Sequence, residues 1–328
     1  MQKKGPKWKG LLKLLGPIFF IFLIIRVIDP NATANIIKNI KLGPAIVSLI
    51  LFVAVNAILA LRWWIICQRI GMGIRFKILF EVYYISWFLS IIPMAAISPI
   101  SKIIYLRDEG ARTDITTVSI TLDKLFDVMG LMVFSLFGIV YFPRNLFVEL
   151  NLWAYFAGMA IFVLIALILG SRIWKILKEL LKRYSNKKIK KFGRGIEQNL
   201  VQFWSEFDLK LFSILLGISI SIGLLRSLIL YLLAIALNIH ASFGLIVACR
   251  ALFGIVNIIP ITVSGLGTRD AILLPALTLS GVSKEYALAL GFVAFLWTLC
   301  SKFTGIIFWF KRPLPLNRFK ISKNKVVE

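Results

Sequence analysis

The residues best suited to chemistry in this chain are charges set singly or in small groups within apolar sequence. Arg269 and Asp270 directly follow Ser264-Gly265-Leu266-Gly267-Thr268, inside N-I-I-P-I-T-V-S-G-L-G-T-R-D-A-I-L-L-P, Asn257 to Pro275. Pro260, Gly265, Gly267 and Pro275 argue against one uninterrupted helix. A break at membrane depth leaves backbone polar groups to be satisfied by protein or by a watery cavity. Glycines let backbone approach a ligand closely, and Thr268 suits the cap of a helix that begins there. Arginine grips phosphate or carboxylate through two donors, so this pattern points to anion binding. A second break, S-I-I-P-M-A-A-I-S-P-I-S-K around Pro93, has the same character. Ser98-Pro99 reads as an N-cap with Pro at N1, and Lys102 supplies a point charge. The structural alternative is that Arg269 pairs with Asp270 or a carbonyl, or snorkels to the surface.

Asp123, Lys124 and Asp127 lie in the apolar I-T-L-D-K-L-F-D-V-M-G-L. The two acids are four residues apart, share a helix face and should turn away from lipid. Three roles fit them: counter-ions to a buried cation, a proton site, or a structural clamp. Arg226, Arg250 and Lys302 are further isolated cations, placed to line a cavity or to pair with Asp123, Asp127, Asp270 or Glu81. The single histidine, His240, argues against a histidine–metal site or a Ser-His-Asp triad. Cys67, Cys249 and Cys300 have no metal spacing and read as packing residues. No metal, cofactor or catalytic residue is expected. A transferase working from Asp123 and Asp127 would lack an acceptor-activating histidine or metal cluster.

The elements that must position these charges are membrane helices. Of 328 residues, 59% are hydrophobic and the mean hydropathy is +0.87, which marks a polytopic membrane protein. The net charge of +24 sits in loops flanking apolar runs, so topology and anionic lipid account for it and nucleic acid is not expected. Met1–Lys13 carries five lysines and no acid, placing the N-terminus in the cytoplasm. No small-residue cleavage site follows, so Leu14–Ile28 reads as a retained first span. Gly43–Ile66 returns inward, with Arg62-Trp63-Trp64 read as an interfacial anchor. If Ile78–Ile97 crossed the membrane, the loop from Ser171 to Lys210 would lie outside. That loop holds eleven Lys/Arg against four Asp/Glu, a strong inside signal. Letting Ile78–Arg107 enter and leave on the cytoplasmic side removes the conflict. Ile115–Phe142 and Leu152–Gly170 then span, Leu211–Leu237 runs outward, Phe243–Gly281 enters and leaves from outside, and Ala289–Phe310 returns. Arg172–Arg194 mixes Ile, Leu and Trp with Lys at helical spacing and suits the anionic inner leaflet.

The two breaks belong to one pattern. The offset from Pro93 to Pro260 also joins Phe76 to Phe243 and Gly138 to Gly305, and it is close to half the length of the chain. An odd number of crossings per half inverts the second copy. The expected fold is therefore an all-α, polytopic membrane domain over 1–328, an inverted-topology repeat of about six spans plus two re-entrant broken hairpins. The first repeat covers about 14–142 and the second about 152–310, with a basic cytoplasmic loop at 171–210 and a basic cytoplasmic tail at 311–328.

At these motifs the chain resembles the membrane domain of the lysylphosphatidylglycerol synthase/flippase family, from about Gly43 to Phe310. That family carries Pro-Gly-Gly-Leu-Gly followed shortly by an acid. Here the match is V-S-G-L-G-T-R-D, with Asp270 at the acidic place and the leading Pro and one Gly replaced. The family's earlier break followed by Arg is matched by I-S-P-I-S-K with Lys102. Its Glu-Arg-x-x-Asp pattern is matched by Asp123-Lys124-Leu125-Phe126-Asp127, and Arg250 precedes the second break as in the family.

Family members that make lysyl-lipid carry a large soluble transferase domain after the membrane region. The sequence here continues past Phe310 as a short basic tail. The resemblance thus implies a flippase-like protein that moves a phosphate-bearing lipid between leaflets of the cytoplasmic membrane, without enzymatic activity of its own. The alternative is a non-transporting module that binds lipid for a separate glycosyl- or aminoacyl-transferase. Expected partners are a membrane phospholipid or lipid-linked substrate, anionic lipids at the basic loop, and a second copy of the chain or a partner transferase. The residues expected to touch lipid are Ser98, Lys102, Arg250, Ser264, Gly265, Gly267, Thr268, Arg269 and Asp270. Those expected in an intramembrane charge network are Asp123, Lys124, Asp127, Arg226 and Lys302.

Overall fold

The computed structural model describes residues 35–91, 97–141, 187–205, 208–256 and 269–313. The expected spans at 14–28 and 152–170, Pro93, and the Ser264–Thr268 turn lie outside them. Among the described residues the protein is all-helical: α1 (Leu42–Arg69), α2 (Phe76–Leu89), α3 (Ile97–Asp108), α4 (Thr113–Tyr141), α5 (Lys187–Ser205), α6 (Leu209–Ala236), α7 (Phe243–Val256), α8 (Asp270–Leu279) and α9 (Lys284–Lys311).

Three of these, α1, α6 and α9, are apolar and 28 residues long. At 1.5 Å per residue each reaches about 42 Å, more than the ~30 Å hydrocarbon thickness. By contrast α2 and α7 have 14 residues, α3 has 12 and α8 has 10. None of these four reaches more than about 21 Å.

Local chemistry sets the helix ends. Asp208 caps α6, its carboxylate accepting from Leu211 N at 2.6 Å. The end of α1 is closed by Gly71 at φ 70°, with Met72 N donating to Cys67 O at 3.0 Å. The end of α6 is closed the same way by Asn238 at φ 59°, with Ile239 N donating to Ala234 O at 2.8 Å. α3 begins at Ile97, two residues before the expected first helical residue, Pro99. Ser98 and Pro99 therefore lie in its first turn, where Pro's missing N–H removes no intrahelical bond. Arg269 occupies the N-cap position of α8, not Thr268.

The helix bounds keep the offset that joins Pro93 to Pro260. Both ends of α1 map onto the ends of α6, and both ends of α2 onto those of α7. The packing follows: α2 lies on α1, α3 and α9, while α7 lies on α6, α8 and α4. Likewise α4 packs on α1, α3, α6 and α7, and α9 on α6, α8, α1 and α2. Exchanging α1 with α6, α2 with α7, α3 with α8 and α4 with α9 leaves this set of contacts unchanged. In lipid, close backbone approach replaces the hydrophobic effect as the source of helix association. Gly305 supplies it between α9 and α2, since a Cβ there would fall 2.1 Å from Tyr84 O.

α1 and α6 are antiparallel. Lys41 N donates to Ala236 O at 2.8 Å at one end, and nearer the other Arg62 Nη1 donates to Ser219 Oγ at 2.8 Å. The first of these ends also holds residues 236–242 and 279–284, packed around Leu237, Ile239 and Leu277. At the opposite end, Arg312 pairs with Glu81 Oε2 at 2.7 Å and with Glu109, and Tyr105 Oη donates to Arg312 O at 2.9 Å. α5 shares that end through Gly195 and Asn199, which pack on Asp114. So α2–α3 starts and finishes at the basic end of the bundle, and α7–α8 starts and finishes at the other.

Candidate functional site

The charges expected to act inside the membrane fall into three groups. The first is built on α4. Asp123 and Asp127 share one face as their spacing requires, that face meets α1, and the cation there is Arg62. Its Nε and Nη2 donate to Asp123 Oδ1 at 3.0 and 2.8 Å, Nη2 also reaches Asp127 Oδ1 at 2.5 Å, and Nη1 reaches Ser219 on α6. Lys124 Nζ donates to Asp127 Oδ2 at 2.9 Å. Arg62 is 0% exposed and Trp63 equally so, which corrects their reading as an interfacial anchor. Arg62 lies seven residues before Arg69, about 10 Å along the helix from its end. A guanidinium that far in needs a buried acid, and α4 brings two.

The second group sits at the start of α3. Lys102 is 5% exposed, and its ammonium lies 4.1 Å from the ring centre of Trp63 and 4.4 Å from that of Tyr83. Stacking on electron-rich ring faces offsets part of the cost of burying a charge. No carboxylate stands at ion-pair distance from Lys102 among the described residues. Ser98 anchors the same turn through its carbonyl, which accepts from Ser101 Oγ at 2.8 Å. Ser101 Oγ also bonds Ser86 Oγ at 2.9 Å, tying α3 to α2.

The third group sits at the start of α8. Arg269 is 7% exposed, its Cζ lies 4.9 Å from the ring centre of Phe253, and Nη1 donates to Gly291 O at 3.4 Å. Arg250 Cζ lies 4.9 Å from the same ring. Asp270 is 1% exposed and packs against Gly291, where a Cβ would fall 1.7 Å from its Oδ1. Glycine at 291 is thus what admits this carboxylate between α8 and α9. Lys102 and Arg269 stand at the same offset as the paired helices, so they occupy equivalent places in the two sets.

The remaining cations fall outside these three groups or at their edges. Lys302 Nζ donates to Ser90 O at 3.1 Å, at the C-terminal end of α2, where helix carbonyls favour a cation. Glu81, one of the four acids that the sequence left open to these cations, pairs with Arg312. Arg226, half-buried on α6, makes no ion pair among the described residues. Ser264, Gly265, Gly267 and Thr268 lie outside the described residues.

Chemically, the arrangement offers cations on aromatic faces beside two helix breaks, next to a neutralised Arg–Asp clamp. Among the described residues no group of three or more His, Cys, Asp or Glu stands together to hold a metal. No curated protein matches the chain. A family model described as the lysylphosphatidylglycerol synthase TM region matches residues 10–307, nearly the whole helical bundle. This is a membrane protein, and the chain belongs to the lysylphosphatidylglycerol synthase transmembrane-region family.

Proposed function

We propose that this chain is a flippase-like transporter that moves a phosphate-bearing lipid between the leaflets of the cytoplasmic membrane. The cargo class is anionic, aminoacylated or polyprenyl-linked lipid. The observation that carries the reading is the pair Lys102 and Arg269. Each is almost fully buried on an aromatic ring, beside a helix break, at equivalent places in the two sets of helices. Residues 92–96 and 257–268, which connect α2 to α3 and α7 to α8 in the sequence, include no Asp or Glu. Positive charge held away from water favours an anion that can visit, and a phosphate headgroup supplies one.

In this reading α2–α3 and α7–α8 are re-entrant hairpins that enter from opposite faces, in an inverted-topology repeat. The exchangeable packing, the antiparallel α1–α6 pair and the opposite ends at which the hairpins begin all support it. Lys302 is ten residues before Arg312, about 15 Å in from the basic end, so the tip of α2 lies deep in the bundle. The basic end, with α5 and the turn at 109–112 between α3 and α4, is the one this reading assigns to the cytoplasm, as its cationic loops favour, and it assigns both termini to the same side.

Purified protein in liposomes carrying fluorescent phospholipid tests the proposal. Wild-type protein should move lipid between leaflets. Arg269→Glu should insert and fold but move none, and Lys102→Glu should impair the opposite half of the cycle. Wild-type movement by well-folded Arg269→Glu overturns the headgroup role. Lipid binding without movement by the wild-type protein would favour the module that serves a separate transferase.

A further inference from the structure

The charge balance is uneven across the intramembrane network. Arg62 and Lys124 face Asp123 and Asp127, so that group is neutral. Beyond it, among the described residues of α6, α7 and the start of α8, stand Arg226, Arg250 and Arg269 with the acid Asp270, a net charge of +2 for these four side chains. Arg250 and Arg269 each hold a guanidinium 4.9 Å from the centre of the Phe253 ring, so the two lie within twice that distance of each other. Arg226 stands on α6, which packs directly against the α7 helix that carries Arg250. Arg250 Nη1 is buried and has no hydrogen-bond partner among the described residues. Residues 257–268, which join α7 to α8, bring no acid. Arginine does not escape the problem by losing its proton.

The ligand that resolves this carries two negative charges in one compact group. A phosphodiester headgroup carries one. A terminal phosphate monoester carries nearly two at neutral pH, with a second ionisation near ~6, and offers three oxygens to guanidinium donors. We infer that the Arg226–Arg250–Arg269 group takes a doubly charged terminal phosphate, as monoester or diphosphate, in preference to a phosphodiester. The inference rests on the reading of this site as the headgroup site, and it narrows the cargo to lipids that end in phosphate.

The test is equilibrium binding to the full chain in detergent at pH 8, with three probes: dioleoyl phosphatidic acid, dioleoyl phosphatidylglycerol and inorganic phosphate. Phosphatidic acid should bind at least about tenfold more tightly than phosphatidylglycerol, the effect of one further charge-assisted hydrogen bond. Arg250→Gln should erase that preference. Arg250→Lys, which keeps the charge and loses the fork, should retain part of it, and it serves where the glutamine variant fails to fold. Equal affinity for the two lipids overturns the inference, while phosphatidylglycerol movement in liposomes would leave the transport proposal standing. Inorganic phosphate bound as tightly as phosphatidic acid would assign the site to a free anion and overturn the lipid assignment. Loss of both lipid binding and lipid movement in the wild-type protein overturns both readings.

Discussion

Arg62 provides the sharpest test of how the bundle is held together. Its guanidinium is fully enclosed and makes contacts to Asp123, Asp127, Ser219 and the Asp123 carbonyl, which link α1, α4 and α6. In lipid these bonds are not competing with bulk water, and little hydrophobic drive exists between helices to replace them. Arg62→Leu leaves Asp123, whose side chain is 3% exposed, without this cation. Removing one member of a buried pair typically costs about 3–5 kcal/mol, and that is the loss expected here. Asp123→Asn keeps the shape and an acceptor oxygen, and Arg62 retains Asp127 at 2.5 Å. The loss should fall to about 1.5–3 kcal/mol, the range for a hydrogen bond to a charged group. Asp127 takes one bond from Arg62 where Asp123 takes two on its carboxylate and one on its carbonyl, and Arg62 keeps all of those when Asp127 is replaced. Asp127→Asn, which keeps an acceptor oxygen, should cost about 1 kcal/mol.

The expected order is therefore Arg62→Leu, then Asp123→Asn, then Asp127→Asn. Reversible denaturant titration of purified protein in mixed micelles measures it. The double variant Arg62→Leu/Asp123→Leu should be more stable than Arg62→Leu alone, because it removes the orphaned acid along with its partner. Equal losses for the two Asn variants would refute the reasoning, as would Arg62→Leu within about 1 kcal/mol of wild type.

Other expectations follow from single contacts. Gly305→Val should weaken the α2–α9 contact and lower thermal stability, because its Cβ would meet Tyr84 O. Gly291→Ala should displace Asp270 and slow lipid movement even in protein that unfolds at the wild-type temperature. Lys302→Met should remove the cation at the end of α2 at a cost of about 0.3–2 kcal/mol, read by denaturant titration. Cysteines placed singly at Glu109 and His240 in a cysteine-free chain should react with membrane-impermeant reagent from opposite sides of the membrane. Labelling of both from one side would refute the two-ended arrangement of the hairpins.

Much of the framework was legible in the sequence because it depends on local chemistry. Apolar length marks α1, α6 and α9, and proline and glycine mark the breaks. The i, i+4 spacing of Asp123 and Asp127 turns both toward protein. What stayed hidden was the identity of partners. Arg62 finds Asp123 61 residues away and Ser219 157 residues away, and Arg312 finds Glu81 across most of the chain. Periodicity gives the face a residue occupies but not the helix that faces it. One local signal was available for Arg62. Gln68 and Arg69 already mark the end of α1, so a cation two turns earlier stands within the hydrocarbon and needs an acid.

The constant offset between the two sets of helices carries a further physical consequence. Three short sequence matches suggested it, and the bounds of four helices keep it. Yet the charges do not repeat with the backbone. Position 62 holds Arg and its equivalent, 229, holds Ile; position 250 holds Arg and its equivalent, 83, holds Tyr. At the helix breaks, Lys102 and Arg269 are cationic in both copies. The two sets of helices thus share bounds and packing partners, while the charges make the two sides energetically different. Lys102 rests on Trp63 and Tyr83, a pair of rings that suits a single mobile ammonium. Arg269 shares one ring with a second arginine, an arrangement that an entering anion stabilises. Under the transport reading proposed above, this unequal charge is what would hold one cargo more tightly at one side than at the other, because only differential affinity shifts the balance between two states.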